Sequence, residues 1–136
     1  MGIQFIPTTL NQHKNTSKID FLLVNSTPRN ISIILKKSCY DCHSNNTNYP
    51  WYNKIQPVAW FLENHIQEGK KELNFSEWVE YSNRRKKSKL KSIISQITNN
   101  EMPLYSYTFF HKEANISQFE KSLVINYIRS LKDSLK

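Results

Sequence analysis

Residues 39–43, Cys-Tyr-Asp-Cys-His, constrain this chain more than any other stretch. The spacing C-x-x-C-H is typical of a c-type haem attachment site. One helical turn brings Cys39 and Cys42 to the same side of the backbone, where both thiols can form thioether bonds to the vinyl groups of one porphyrin. His43 follows in the same turn and is the predicted proximal iron ligand. The motif therefore predicts one covalent haem c with its iron.

The two cysteines have other interpretations. A C-x-x-C pair is also half of a zinc site, a thioredoxin-like redox pair or a simple disulfide. Structural zinc takes four ligands, whereas this chain has no third cysteine and its other histidines, His13, His65 and His111, stand singly. A redox pair is expected after a strand, and no strand pattern precedes Cys39. Haem attachment is favoured, with zinc and thiol redox chemistry left open.

Met102 is the predicted distal iron ligand. It is the only methionine besides Met1, and methionine opposite histidine is a known ligand set of c-type haems that raises the reduction potential. Pro103 ends any helix at this point and places Met102 on a loop. The alternatives are His65, His111 and an open or water-bound iron. Met102 could also be a gap-filler in the core, and His65 a hydrogen-bonded core histidine.

Apolar residues recur at helical spacing in four stretches and predict four helices. The helices are expected to begin at Thr27, Pro57, Ser76 and Ser117. The first three are expected to end near Cys39, Gly69 and Asn100, and the last has apolar positions as far as Leu131. Ser117 and Glu120 have the spacing of a capping box. With no convincing strand, the chain is predicted to be all-α, a small cytochrome c-like domain wrapped around one covalent haem. Because hydrophobic residues make up only 38% of the chain, a buried porphyrin would supply much of the missing apolar surface.

Aromatic residues are predicted to line the haem pocket. Tyr49 and Trp51 follow the iron ligand closely, and Trp60 and His65 lie on the second predicted helix. Trp51 and the tyrosines could donate to haem propionates, and the Pro50 carbonyl could accept the other ring N–H of His43. A second aromatic group at residues 105–110 is expected to wall the distal side. Ordinary core packing is the alternative for all of these rings.

Charge narrows the classes of partner. Nineteen Lys and Arg against eleven Asp and Glu give a formal charge of +8, which suits an acidic protein or anionic lipid headgroups. We expect a monomer with an acidic redox partner. The basic run at residues 84–91 is either a docking surface or a solvated helix face. Nucleic acid is not expected, since no binding motif accompanies the charge, and two glycines argue against a phosphate loop.

The N-terminal part bears on localisation. Residues 27–136 are predicted to form the domain, and residues 1–26 a tether left after a removed membrane anchor or signal. Residues 3–7 look like the end of an apolar segment, yet residues 1–20 lack the apolar core of a signal peptide. No stretch has the ~20 apolar residues that span a bilayer. Because bacteria attach haem c outside the cytoplasmic membrane, we expect a periplasmic protein whose anchor is absent from this chain.

Several further stretches accompany the C-x-x-C-H motif. They are residues 44–45, 49–52, 55–57, 65–66, 69, 74–76, 101–103 and 106–108. Together they make the chain, from about Pro28 to Leu131, resemble a bacterial haem-binding domain family that is cytochrome c-like. The resemblance implies one covalent haem on Cys39 and Cys42, with His43 proximal and Met102 as the distal candidate. It also implies a membrane-anchoring segment at the start, which this sequence lacks.

Three classes of function remain. The favoured one is a mono-haem electron carrier with His/Met ligation, which needs no substrate pocket and has no predicted catalytic residues. The alternative is a haem enzyme or sensor, in which peroxide or a diatomic gas reaches an open or labile distal site. The third is an interaction module whose haem is chiefly structural.

Overall fold

The computed structural model describes residues 9–12 and 18–135. Within them the chain is helical and contains no strand, which confirms the predicted all-α class. The α-helices are α1 (Phe21–Val24), α2 (Arg29–Ser38), α3 (Tyr40–His43), α4 (Val58–Glu72), α5 (Asn83–Thr98), α6 (Tyr105–Phe110) and α7 (Gln118–Ser134). Within the described ranges, 3₁₀ helices span Trp51–Lys54, Phe75–Glu80 and Lys112–Ala114. Helices α2, α4, α5 and α7 are the four that the sequence predicts. No helix in this part of the chain has the length and apolar content needed to cross a membrane.

The predicted capping box is confirmed, and one predicted helix start is wrong. At α7 the Ser117 hydroxyl accepts the Glu120 N–H, while the Glu120 carboxylate accepts the Ser117 N–H. Helix α5 begins after Ser82, whose hydroxyl accepts the Arg85 N–H, and not at Ser76. Ser76 lies in the 3₁₀ helix Phe75–Glu80, buried, and its hydroxyl accepts the Asn45 N–H. Ser76 and Ser82 are both of a residue type that caps helices. The Ser76 hydroxyl instead binds the loop at Asn45.

The core lies mainly between α2, α5 and α7. Helices α5 and α7 pack along each other and α2 packs on α7. The buried apolar side chains that these helices supply are Ile31, Ile34, Leu35, Leu90, Ile97, Val124 and Ile128. Such continuous apolar burial is the main stabilising contribution to a small domain. It leaves α3, the facing side of α4 and α6 to form a cleft beside the core.

Part of the predicted tether packs against the domain. Phe21 of α1 is fully buried, with its ring centroid 5.0 Å from that of Phe75 and 4.9 Å from that of Trp78. Asn11 is also buried and bonded to the loop that follows His43. The described part of residues 1–26 is thus ordered where it touches the domain. Residues 3–7, which we interpret as the end of an anchor, lie outside the described residues.

Candidate functional site

The C-x-x-C-H motif forms a single helical turn directly after α2. The Cys39 N–H donates to the Leu35 carbonyl at 2.9 Å, and the His43 N–H donates to the Cys39 carbonyl at 3.0 Å. This turn brings Cys39, Cys42 and His43 to the wall of one cleft. Both cysteines are free thiols. The turn therefore presents the two thiols and the imidazole to the same space.

Two carbonyls of the α4 C-terminal turn fix the orientation of the His43 ring. Its Nδ1–H donates to the Gly69 oxygen at 2.8 Å and the Leu73 oxygen at 2.9 Å, so the predicted Pro50 carbonyl is not the acceptor. Since carbonyls only accept, Nδ1 carries the proton and Nε2 is left with its lone pair. Burial lowers the pKa of His43, although the two carbonyls oppose that shift. A neutral imidazole with this second contact is the form that ligates metals.

Gly69 lets the motif approach α4 closely. The helix continues three residues beyond Gly69, so the prediction that this glycine ends it is wrong. A Cβ at this position would lie 2.7 Å from the Cys42 carbonyl oxygen and 3.2 Å from the Cys42 Cβ. A glycine inside a helix costs about 0.5–1 kcal/mol relative to alanine. Here the missing side chain allows the contact between α3 and α4.

The cleft consists of adjoining cavities with largely apolar walls. A cavity of 280 Å³ is lined by both thiols, His43, His65, Met102 and Tyr107, and a cavity of 130 Å³ shares Cys42, His65 and Tyr107 with it. Val58, Phe61 and Phe110 line the smaller cavity and are 43%, 64% and 69% exposed. Ligand pockets are typically ~300–1,000 Å³ and mostly apolar. Thiols, imidazole and apolar walls together fit a covalently attached porphyrin.

Both leading candidates for the sixth ligand border this cleft. Met102 lines the larger cavity and also a neighbouring one of 100 Å³, together with Cys39 and His43. His65 lines both main cavities, and its ring makes an edge contact with Phe61 at 4.6 Å. His111 lines neither main cavity, and its Nε2 accepts the Tyr52 O–H at 2.6 Å. Met102 as distal ligand stays a prediction, with His65 as its alternative.

The three predicted aromatic pocket residues do not line the two main cavities, and their role stays a prediction. Trp51 is 77% exposed, Trp60 is 36% exposed, and neither lines the cleft. The Tyr49 hydroxyl instead accepts the Asn11 N–H at 2.5 Å. Burial raises the pKa of Tyr49 to about 12. Closeness to His43 in sequence therefore does not bring these rings to the cleft, whereas Tyr52 does line it.

A hydrogen bond between the motif and α6 was not predicted. The Tyr107 hydroxyl donates to Asp41 Oδ2 at 2.6 Å, and Asp41 Oδ1 accepts the Asn48 N–H at 3.1 Å. The Tyr107 ring also stacks on His111 at 4.6 Å. Burial, followed by the bond to Asp41, raises the pKa of Tyr107. This bond joins α6, which follows Met102, to the turn of the C-x-x-C-H motif. Nothing in the sequence pairs residues so far apart.

The other interpretations of the cysteines find less support. Burial raises the pKa of Cys39 to about 12 and that of Cys42 to about 11, whereas redox-active thiols have lowered pKa values. Across residues 9–12 and 18–135, no group of three or more His, Cys, Asp or Glu side chains is placed to hold a metal ion. The described side chains thus do not assemble the four ligands of a structural zinc site.

The comparisons with known proteins identify one family. A family model described as a haem-binding domain matches residues 1–130. No curated protein and no solved structure matches the chain. The matched range contains every cleft residue described above, from Cys39 to Phe110.

Proposed function

The chain belongs to the haem-binding domain family and binds haem, and we propose that it is a mono-haem c-type cytochrome that transfers electrons. One observation carries this proposal. The His43 imidazole is oriented by the Gly69 and Leu73 carbonyls, beside a cleft that Cys39, Cys42 and Met102 also line.

Each of these residues has a distinct role in the proposal. Cys39 and Cys42 hold the haem through thioether bonds, and His43 Nε2 ligates its iron. The bound haem supplies a one-electron couple between ferric and ferrous iron. The Met102 sulfur takes the sixth position and raises the reduction potential. If His43 and Met102 both ligate the iron, no coordination position would remain for a substrate, as suits an electron carrier.

A haem enzyme or sensor is the second candidate, and the position of His65 favours it. This imidazole borders the same cavities as Met102, so it lies on the wall of the space that peroxide or a diatomic gas would enter. In that case Met102 is not a stable ligand.

The proposed setting is the periplasmic side of a bacterial cytoplasmic membrane. Thioether attachment takes place there, and a membrane anchor would keep the domain at the surface. A formal charge of +8 suits an acidic redox partner.

The axial ligand decides between the two functions. We expect the oxidised holoprotein to show the weak long-wavelength charge-transfer band of sulfur-ligated ferric haem, and the reduced form to resist carbon monoxide. Met102→Ala should remove the band, lower the potential and admit carbon monoxide. His65→Ala, a matched control in the same cleft, should leave all three nearly unchanged. Carbon monoxide binding to the unaltered protein, without the band, would favour catalysis or sensing.

The covalent attachment has its own test. Cys39→Ala and Cys42→Ala should each leave a single thioether and shift the pyridine haemochrome band of the denatured protein. An unchanged band in either variant would contradict double attachment.

A further inference from the structure

The first half of α5 carries a concentration of positive charge without carboxylate partners. We define the basic ridge as the cationic side chains of α5, namely Arg84, Arg85, Lys86, Lys87, Lys89 and Lys91. Among the described residues, the ion pairs join Lys37 to Glu120, Lys71 to Glu68 and His111 to Glu113, and none includes the ridge. The positive charge of the ridge is therefore not used in an ion pair within the described part of the chain.

Two ridge side chains, Arg85 and Lys89, contact neutral groups of the protein. Arg85 and Lys89 lie over the Tyr81 ring, at 5.3 and 4.8 Å from its centroid. The Lys89 ammonium also donates to the Glu72 backbone carbonyl. These contacts fix the positions of the cations without neutralising them.

Stability of the helix does not explain this arrangement. Cations in the first turn oppose the positive end of the helix dipole, and that turn contains no acidic residue. Arg85 and Lys89 are four residues apart, as are Lys87 and Lys91, so like charges face each other along the helix. An anionic surface laid against the ridge would relieve both repulsions.

The ridge adjoins the candidate haem site. Lys89 lines the 100 Å³ cavity that Cys39, His43 and Met102 also line. A partner resting on the side of α5 that carries Arg85 and Lys89 is consequently brought close to the predicted iron ligands. This placement favours an electron-transfer protein over a lipid surface, which needs positive charge but no closeness to the iron.

We propose that the basic ridge is the docking surface for an acidic electron-transfer protein. This inference rests on the proposed function and specifies its partner. In the complex, one electron leaves the reduced partner and converts ferric haem to ferrous haem. Complementary charge raises the association rate and loses that effect as salt screens it.

The probe is flavodoxin hydroquinone, a small acidic one-electron donor that becomes the semiquinone. Stopped-flow reduction of the oxidised holoprotein is compared for the unaltered chain, Arg84→Glu/Arg85→Glu, and the control Arg29→Glu/Lys112→Glu. All four positions are exposed, and both variants change the net charge equally. The ridge variant should react at least tenfold more slowly at low ionic strength, and the difference should disappear in high salt. The control should change less than about threefold.

Three further readouts separate the possible failures. Arg84→Glu places an acidic residue at the start of α5, so the ridge variant should melt no lower than the unaltered protein, which excludes unfolding as the cause of a slow rate. Equal rates for the two variants would overturn the docking surface. A normal reduction rate in the ridge variant, combined with loss of its binding to phosphatidylglycerol vesicles, would also overturn the docking surface and would assign the ridge to lipid binding. Failure of the proposed function would appear earlier, as a spectrum without attached, six-coordinate haem in the unaltered protein.

Discussion

Replacing Gly69 by alanine tests the contact on which the site geometry depends. The added Cβ would lie 2.7 Å from the Cys42 carbonyl oxygen, 3.2 Å from the Cys42 Cβ and 3.3 Å from the Cys42 carbonyl carbon. Two of these atoms are backbone, so no side-chain rotation relieves the overlap. The α3 turn must move away from α4, and the hydrogen bond from His43 Nδ1 to the Gly69 oxygen must lengthen.

Two opposing effects set the size of the change. Glycine to alanine inside an unobstructed helix stabilises a protein by about 0.8–1.0 kcal/mol. Overpacking a well-packed contact costs about 1–3 kcal/mol. Because the nearest atom is a backbone oxygen, we expect the upper half of that range. The net result is a loss of roughly 1–2 kcal/mol in the free energy of unfolding.

The assay is urea unfolding of the holoprotein, followed by far-ultraviolet circular dichroism. Gln67→Ala is the matched control, because Gln67 is an exposed residue two positions earlier in α4. Its change should stay within about 0.5 kcal/mol. If Gly69→Ala instead stabilised the protein by about 1 kcal/mol, as at a free helix position, the close approach of α3 and α4 would be refuted.

Three further substitutions address the supports around the site, each measured by urea unfolding. Tyr107→Phe keeps the ring but removes its bond to Asp41, and should cost about 1–3 kcal/mol; a cost below about 0.5 kcal/mol would show that the bond is not formed. Asn11→Ala removes bonds to the loop after the motif and should cost at least about 1 kcal/mol. Burial raises the pKa of Asp20, so its contribution to stability is present at low pH and is lost as pH rises through the folded pKa. Asp20→Asn should remove that pH dependence, and an unchanged stability profile would contradict it.

Local signals in the sequence were sufficient for the long helices and for the helical turn of the C-x-x-C-H motif. The capping box at Ser117 depends only on Glu120, three positions later. The C-x-x-C-H turn depends only on five consecutive residues. The direction of the His43 ring is different, because its acceptors are the Gly69 and Leu73 carbonyls of another helix. Backbone carbonyls have no sequence signature, so the sequence predicted such a contact but not its source.

Contacts between distant segments account for the other differences. Tyr49 is close to His43 in sequence, yet its hydroxyl is taken by Asn11. The Asn11 side chain donates to the Ser44 carbonyl at 2.8 Å and to the Thr47 hydroxyl at 2.9 Å, and its amide oxygen accepts from Lys70 at 2.8 Å. These bonds settle the path of the loop. A polar N-terminal segment gives no periodic signal of such a role, and composition alone therefore assigned it to a tether.

The cleft also connects haem binding to the stability of the domain. Its walls come from α3, α4 and α6, and the apolar side chains of Val58, Phe61 and Phe110 are exposed there. Helix α6 is joined to the attachment turn by the Tyr107–Asp41 bond and, just beyond its end, to Tyr52 through His111. A porphyrin held on α3 would contact all three walls and remove their apolar surface from water, at about 25 cal/mol per Å². Because that burial would exist only in the folded state, a bound haem would stabilise the fold. The haem would then supply apolar surface that the modest hydrophobic content of the chain lacks.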